Sequence, residues 1–306
     1  MRVGFLTLGM PDWPADAFAA RASELGCNGV AFRCTPSDER NPSAGGQVSI
    51  ETSAEELEEI RRSFDRVGVE IPGLICANGN RGRLGIDSDK IDWDDVEAEL
   101  AAYVRVARKL GCEHIGFQLE RADERPRPDL KWDWDDYLIR MGRASLAALE
   151  GTHLRATFQN HVSSATVRQL IQMVERIGDD RLGVILSPDH CIVMQEDPVR
   201  LAGDHPDVIA HFYVADRRIV KPGLGDFDGR YYTVQYEICG IGEGIVPNAR
   251  VFDALASQHW NGYAYLKWER SKDFGWELPS GEAVLEPCIR YMKSLSNTAS
   301  ESPAFH

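Results

Sequence analysis

Two pairs of polar residues define the chemistry open to this chain. Gln159 and His161 stand two positions apart at the end of one apolar run, and Lys267 and Glu269 stand two apart at the end of another. Side chains two apart on a strand face the same way, so each pair shares a face. Histidine titrates near neutral pH and can give or take a proton there. His190, just after Ser187-Pro188-Asp189, supplies a second imidazole. A lysine offers a fixed positive charge to a developing oxyanion, or an amine that forms a Schiff base with a carbonyl. Glu269 can pair with that lysine or act as a base.

Other patterns carry less chemistry. Gly240-Ile241-Gly242-Glu243-Gly244 lacks the strand–turn–helix opening of a βαβ unit and is discounted as a dinucleotide fingerprint. No nucleophile elbow surrounds Ser187, which sets aside a hydrolase triad. The acidic run Asp92, Asp94, Asp95, Glu97 and Glu99 reads as the solvated start of a helix, where negative charge suits the dipole. Asp189 follows a proline and reads as a turn residue or helix cap. Asp216 has the alternative role of holding the loop that follows it, and His211 reads as a hydrogen-bonded core histidine. The seven cysteines never form a CxxC pair, a pattern that suits reduced thiols and a cytoplasmic location.

The elements that must position these groups alternate. Apolar strand-like runs fall at about 2–8, 28–33, 70–76, 113–119, 153–159, 182–187, 208–215 and 262–268. Between them lie stretches with a helical period, such as Leu57, Ile60, Phe64, Val67, then Val96, Leu100, Tyr103, Ala107, Leu110, then Leu285, Cys288, Met292, Leu295. Strands that alternate with helices imply a parallel sheet with crossover connections. Eight such units predict a closed (β/α)8 TIM barrel, one α/β domain over about 1–295, with an open doubly wound sheet as the alternative. The small polar tail 296–306 is predicted to be disordered. Strand-to-helix loops are long (about 34–52, 77–92, 119–134 and 216–248), and in barrels those loops build the active face. They hold Trp132, Trp134, Phe227, Tyr231, Tyr232, Phe274 and Trp276, suited to sugar faces or to clusters that order the loops themselves.

A formal charge of −14 argues against a nucleic-acid partner and against anionic membrane surfaces. No run of about 18 apolar residues is present, so no membrane span is expected.

Four segments then resemble a known family: Ala156-Thr157-Phe158-Gln159-Asn160-His161, Leu182-Gly183-Val184-Ile185-Leu186-Ser187-Pro188-Asp189-His190, His211-Phe212-Tyr213-Val214-Ala215-Asp216 and Gly262-Tyr263-Ala264-Tyr265-Leu266-Lys267-Trp268-Glu269. They are similar to the sugar phosphate isomerase/epimerase group, the xylose-isomerase-like barrels that include ketose 3-epimerases, inosose dehydratases and hydroxypyruvate isomerases. The resemblance implies isomerase, epimerase or lyase work on a small sugar-like carbonyl or polyol as substrate, and leaves a homo- or hetero-oligomer open. It also implies one divalent metal held by four inward side chains, a glutamate, an aspartate, a histidine and a glutamate. At those positions this chain has Gln159, Ser187, Tyr213 and Lys267. The first three are weak neutral ligands, and an ammonium has no lone pair to offer.

Three readings follow. In the first, catalysis is kept without a metal cofactor: Lys267, His190, His161 and Glu269 are catalytic, and Gln159, Asn160, Ser187, Tyr213, Asp216 and Trp268 bind substrate. In the second, a divalent metal sits at a displaced site near His161, Asp189 and Glu269. In the third, the chain is a noncatalytic pseudoenzyme that binds a ligand or a partner subunit.

Overall fold

The computed structural model describes residues 1–10, 12–34, 48–77, 92–119, 134–162, 165–227, 230–268 and 279–301. Eight parallel strands close into a barrel. In chain order they are β1 (Arg2–Leu6), β2 (Gly29–Arg33), β3 (Gly73–Ala77), β4 (His114–Gln118), β5 (Arg155–Gln159), β6 (Leu182–Leu186), β7 (Ile209–Val214) and, after the hairpin described below, β10 (Tyr263–Leu266). Each pairs with its sequence neighbour in the barrel, and β10 closes the ring between β7 and β1. The expected (β/α)8 barrel is therefore the observed fold.

Helices α1 (Ala15–Glu24), α2 (Ala54–Asp65), α3 (Trp93–Leu110), α4 (Trp134–Ala148), α5 (Val167–Ile177), α6 (Pro188–Val193), α7 (Pro198–Asp204), α8 (Asn248–Ser257) and α9 (Gly281–Glu301) connect or follow the strands. Local sequence sets their ends. Ser53 with Glu56 and Thr166 with Gln169 form reciprocal capping boxes at the starts of α2 and α5. Gly111 and Gly178 end α3 and α5 in the left-handed conformation, at φ 77° and 72°. Asp92 caps α3 by accepting from the Asp94 and Asp95 amides, as the acidic run suggests. Glu99 departs from that reading. It is buried and accepts a hydrogen bond from the Tyr103 hydroxyl at 2.7 Å, because the helix has turned that face toward the barrel.

One further expectation is corrected. Val67 lies beyond the end of α2 and is exposed, so the apolar stripe of that helix stops at Phe64. The backbone of α9 runs to Glu301.

Alternation divides each strand between two environments. Val3 and Phe5 of β1 face the helices, while Leu6 enters the barrel with Ala31, Ile75, Ile185, Tyr213, Tyr263 and Tyr265. The rings of Tyr263 and Tyr265 stack with centroids 5.0 Å apart. This apolar layer fills the middle of the barrel. The long segment after β7 is a two-stranded antiparallel hairpin, β8 (Asp216–Phe227) and β9 (Arg230–Cys239), where the sequence reading placed a loop.

Candidate active site at the barrel mouth

The C-terminal ends of β5, β6, β7 and β10 bring one polar cluster together. Ser187, directly after β6, begins α6, and that short helix carries Asp189 and His190 inward. Both are fully buried. Lys267 follows β10, where its amide donates to the Val214 carbonyl, and its side chain is 5% exposed. Lys267 Nζ lies 3.0 Å from His190 Nε2 and 4.0 Å from Asp189 Oδ2. Arg217, at the start of β8, donates from Nε to Asp189 Oδ2 at 3.0 Å, with a second guanidinium nitrogen also at 3.0 Å. Ser187 Oγ donates to Asp189 Oδ1 at 2.8 Å. One carboxylate thus anchors a lysine, an arginine and a hydroxyl.

These contacts fix the tautomer of His190. Its Nδ1 lies 3.0 Å from the Asn160 carbonyl oxygen, which can only accept, so Nδ1 carries the proton. Nε2 is then the lone-pair nitrogen, and Lys267 donates to it. Burial holds the imidazole well below its usual pKa; Asp189 opposes this, and Lys267 adds to it. Burial alone would raise the Asp189 carboxyl, but the cations Lys267 and Arg217 and the Ser187 hydroxyl outweigh it and hold the group well below the usual carboxylate range. The buried state is therefore an ionised aspartate beside a neutral imidazole.

His161 sits just outside β5, partly exposed, with its ring edge-on to His190 at 4.5 Å between centroids. Gln159, at the end of β5, is buried, and its Nε2 has no partner among the described residues. Tyr213 lies deeper, in the apolar layer, and its hydroxyl also has none. Burial raises that phenol far above its ordinary pKa.

Other residues expected at the site have structural contacts of their own. The Asn160 amide bridges β5 to α6: Oδ1 accepts from the Ser187 amide at 2.7 Å, and Nδ2 donates to the Ser187 carbonyl at 3.1 Å. Asp216 accepts from the amides of Arg217, Gly242, Gly244 and Val246 at 2.8–3.1 Å. Its carboxylate is spent on the loop after β9, the alternative role read from its position. Trp268 is buried against Gly9 and donates to the Pro279 carbonyl at 3.2 Å, joining the first loop to the segment before α9. Glu269, Trp132, Phe274 and Trp276 lie outside the described residues, as do the side chains of Trp134, Phe227, Tyr231 and Tyr232.

Sequence reasoning missed Arg217 and gave Asp189 a peripheral place. The available signal was a charged residue directly after a strand's C-terminal end, where barrels build their sites.

The four positions that the family resemblance assigns to a divalent metal do not fit one here. An amide, a hydroxyl, a buried phenol and a lysine supply no anionic ligand, and Lys267 already occupies hydrogen-bonding distance of His190. Among the described residues, no three His, Cys, Asp or Glu side chains group so as to hold a metal ion. Also among them, no helix is long and apolar enough to cross a membrane.

Solved structures with the same fold cover nearly the whole chain. One is D-psicose 3-epimerase in the presence of D-fructose, with a TM-score of 0.67 at 15% identity, covering 99% of this chain and 100% of that one. Another is the probable 3-DHS dehydratase AsbF from Bacillus anthracis, at 0.68 and 12%, covering 96% and 99%. A third, the IOLI protein with a binding zinc atom, matches at 0.65 and 15%, covering 98% of each chain. The search of curated proteins finds no match. At these identities the likeness shows the fold alone. The family described as Xylose isomerase-like TIM barrel matches residues 19–295, nearly the full length of the barrel. This chain therefore belongs to the xylose isomerase-like TIM barrel family.

Proposed function

We propose that this protein is a sugar isomerase or epimerase, or a related lyase, that moves a proton next to the carbonyl of a small sugar or polyol derivative without the family's divalent metal. The observation that carries this reading is the placement of Lys267 Nζ, 3.0 Å from His190 Nε2 and 4.0 Å from the Asp189 carboxylate. A lysine held there supplies positive charge to a developing enediolate oxygen, part of the role a Lewis acid plays elsewhere. In the step proposed, a base takes the proton from the carbon next to the carbonyl, and the electron pair moves onto the carbonyl oxygen, which Lys267 stabilises. Return of a proton to the same carbon from the other face gives the epimer. Return to the former carbonyl carbon, with the neighbouring hydroxyl losing its proton and the former carbonyl oxygen gaining one, gives the isomer; loss of a β-hydroxyl, which takes a proton from a carrier and leaves as water, gives the lyase product. His161, His190 and Glu269 are the candidate proton carriers, and Gln159 Nε2 is a donor for a substrate oxygen. Epimerase and dehydratase chemistry among proteins of this fold supports the reading.

The test uses a panel of ketoses that includes D-fructose, incubated with the full chain in D₂O and followed by proton NMR. Deuterium entering next to the carbonyl is expected, and Lys267→Met is expected to slow it about 100-fold or more, the range for losing one transition-state charge contact. Full turnover in Lys267→Met would remove the lysine from the mechanism. Saturable ketose binding with no exchange would replace this reading with a noncatalytic ligand-binding barrel.

A further inference from the structure

The opposite end of the barrel carries a second set of polar groups that the mouth does not use. A cavity of about 260 Å³ opens there, lined in part by Arg2, Glu113, His114, Arg155, Asp207 and His211. The rings of His114 and His211 lie face to face, with centroids 4.0 Å apart and planes 30° from parallel. Both are buried, and Nε2 of each has no hydrogen-bond partner among the described residues. The Nε atoms of Arg2 and Arg155 are buried and lack partners in the same way. Gly73 makes room for this arrangement, since a Cβ at that position would fall 2.0 Å from His114 Nε2.

The two guanidinium groups differ. Arg2 lies against the Tyr263 ring and reaches Glu70 at 3.3 Å and Glu113 at 3.5 Å. Arg155 reaches the Leu182 carbonyl at 3.4 Å, a neutral acceptor at the far limit of a hydrogen bond. Burial pushes His114 down to about 3, with Arg155 and Arg2 lowering it further, so the ring next to these cations is neutral. Groups of this kind, buried and unmatched, normally have a partner from outside the chain. The arginines are donors only, and neutral His114 donates if its proton is on Nε2. His211 engages the Ala210 backbone through its other ring nitrogen, which leaves Nε2 as an acceptor. One body that meets several donors with negative charge and also offers a hydroxyl is a protonated tetrahedral oxyanion.

We propose that the N-terminal end of the barrel is a binding site for hydrogen phosphate or a phosphate group of the same chemistry, seated between Arg155 and the paired imidazoles of His114 and His211. Arg155 gives it charge and direction, as guanidinium groups do for phosphate. The cavity is separated from the mouth by the apolar layer of Leu6, Ala31, Ile75, Ile185, Tyr213 and Tyr265, so the two sites take their ligands independently.

The experiment titrates the full chain with inorganic phosphate against sodium chloride and sodium sulfate at constant ionic strength, by calorimetry and by the NMR shifts of labelled histidine. Saturable phosphate binding is expected, with His114 and His211 moving together. Affinity should fall at least 10-fold in Arg155→Gln and persist in a variant of the exposed Arg250, Arg250→Gln. Sulfate, which carries no hydroxyl near neutral pH, should bind at least 10-fold more weakly. The proposal is overturned if phosphate acts no differently from chloride, if sulfate equals phosphate, or if binding is kept in Arg155→Gln. Should Arg155→Gln fail to fold, the histidine shifts in the unaltered protein decide: no movement of His114 or His211 on saturation with phosphate places the ion elsewhere.

Discussion

Asp189 is the residue on which the mouth depends, because it is a fully buried charge with two cationic partners. Taking a partner from such a group costs more than the pair itself contributes, since an uncompensated charge remains in a poor solvent. Arg217→Met is expected to destabilise the protein by about 2–4 kcal/mol by urea unfolding, at the lower part of the range for broken buried pairs because Lys267 remains nearby. A double change of Arg217→Met with Asp189→Asn should recover much of the loss. His190 gives a local check. Lys267 lowers its pKa, so Lys267→Met should raise it, read from the histidine NMR titration. The inward placement of His190 and Lys267 was legible from the family resemblance of their two segments. Arg217 was not, because its direction depends on the path the chain takes on leaving β7.

At the scale of elements, the strands were legible and the connection after β7 was not. Seven of the eight barrel strands begin within two residues of their expected starts, because short apolar runs between glycine-marked helix ends leave little freedom. The hairpin of β8 and β9 was read as a loop, although Asp228-Gly229 stands between its two runs and is a recognised hairpin turn signal. The second run does alternate, Tyr232, Val234, Tyr236 and Ile238 with Thr233, Gln235 and Glu237, a strand signal that reading 216–248 as one loop passed over. Asp216 couples that hairpin to the segment before α8 through the amides of Gly242, Gly244 and Val246. Asp216→Ala is expected to cost about 2–3 kcal/mol, from several charge-assisted hydrogen bonds lost together. Hydrogen exchange should quicken at those three amides while the amides of β4 and β5 keep their protection. Uniform acceleration across the barrel would show that Asp216 serves global stability instead.

For the whole molecule, the buried histidines determine how stability responds to acid. His114, His190 and His211 all have folded-state pKa values below the ordinary one, with burial as the first cause. A group depressed in this way is protonated more readily in the unfolded chain. Its contribution is therefore complete above the unfolded value and is lost as pH falls toward the folded one. Urea unfolding at pH 7, 6, 5 and 4 should show a decline that begins near the ordinary histidine pKa and steepens toward about 1.4 kcal/mol per pH unit for each such histidine. His114→Gln should make that slope shallower. The depressed Asp189 carboxyl works in the same direction at lower pH, where its stabilising ionisation is finally lost.

The tyrosines in the middle of the barrel have one more consequence. Burial keeps Tyr213 and Tyr265 firmly in the phenol form, and their hydroxyls have no partner among the described residues. Leu6, Ala31, Ile75 and Ile185 pack around them, and the His211 ring lies 5.6 Å from that of Tyr265 on the side of the lower cavity. Phenols held neutral in this way keep their protons, so the middle of the barrel is a poor relay between its two ends. A proton released at the mouth leaves more readily through the mouth than along the axis.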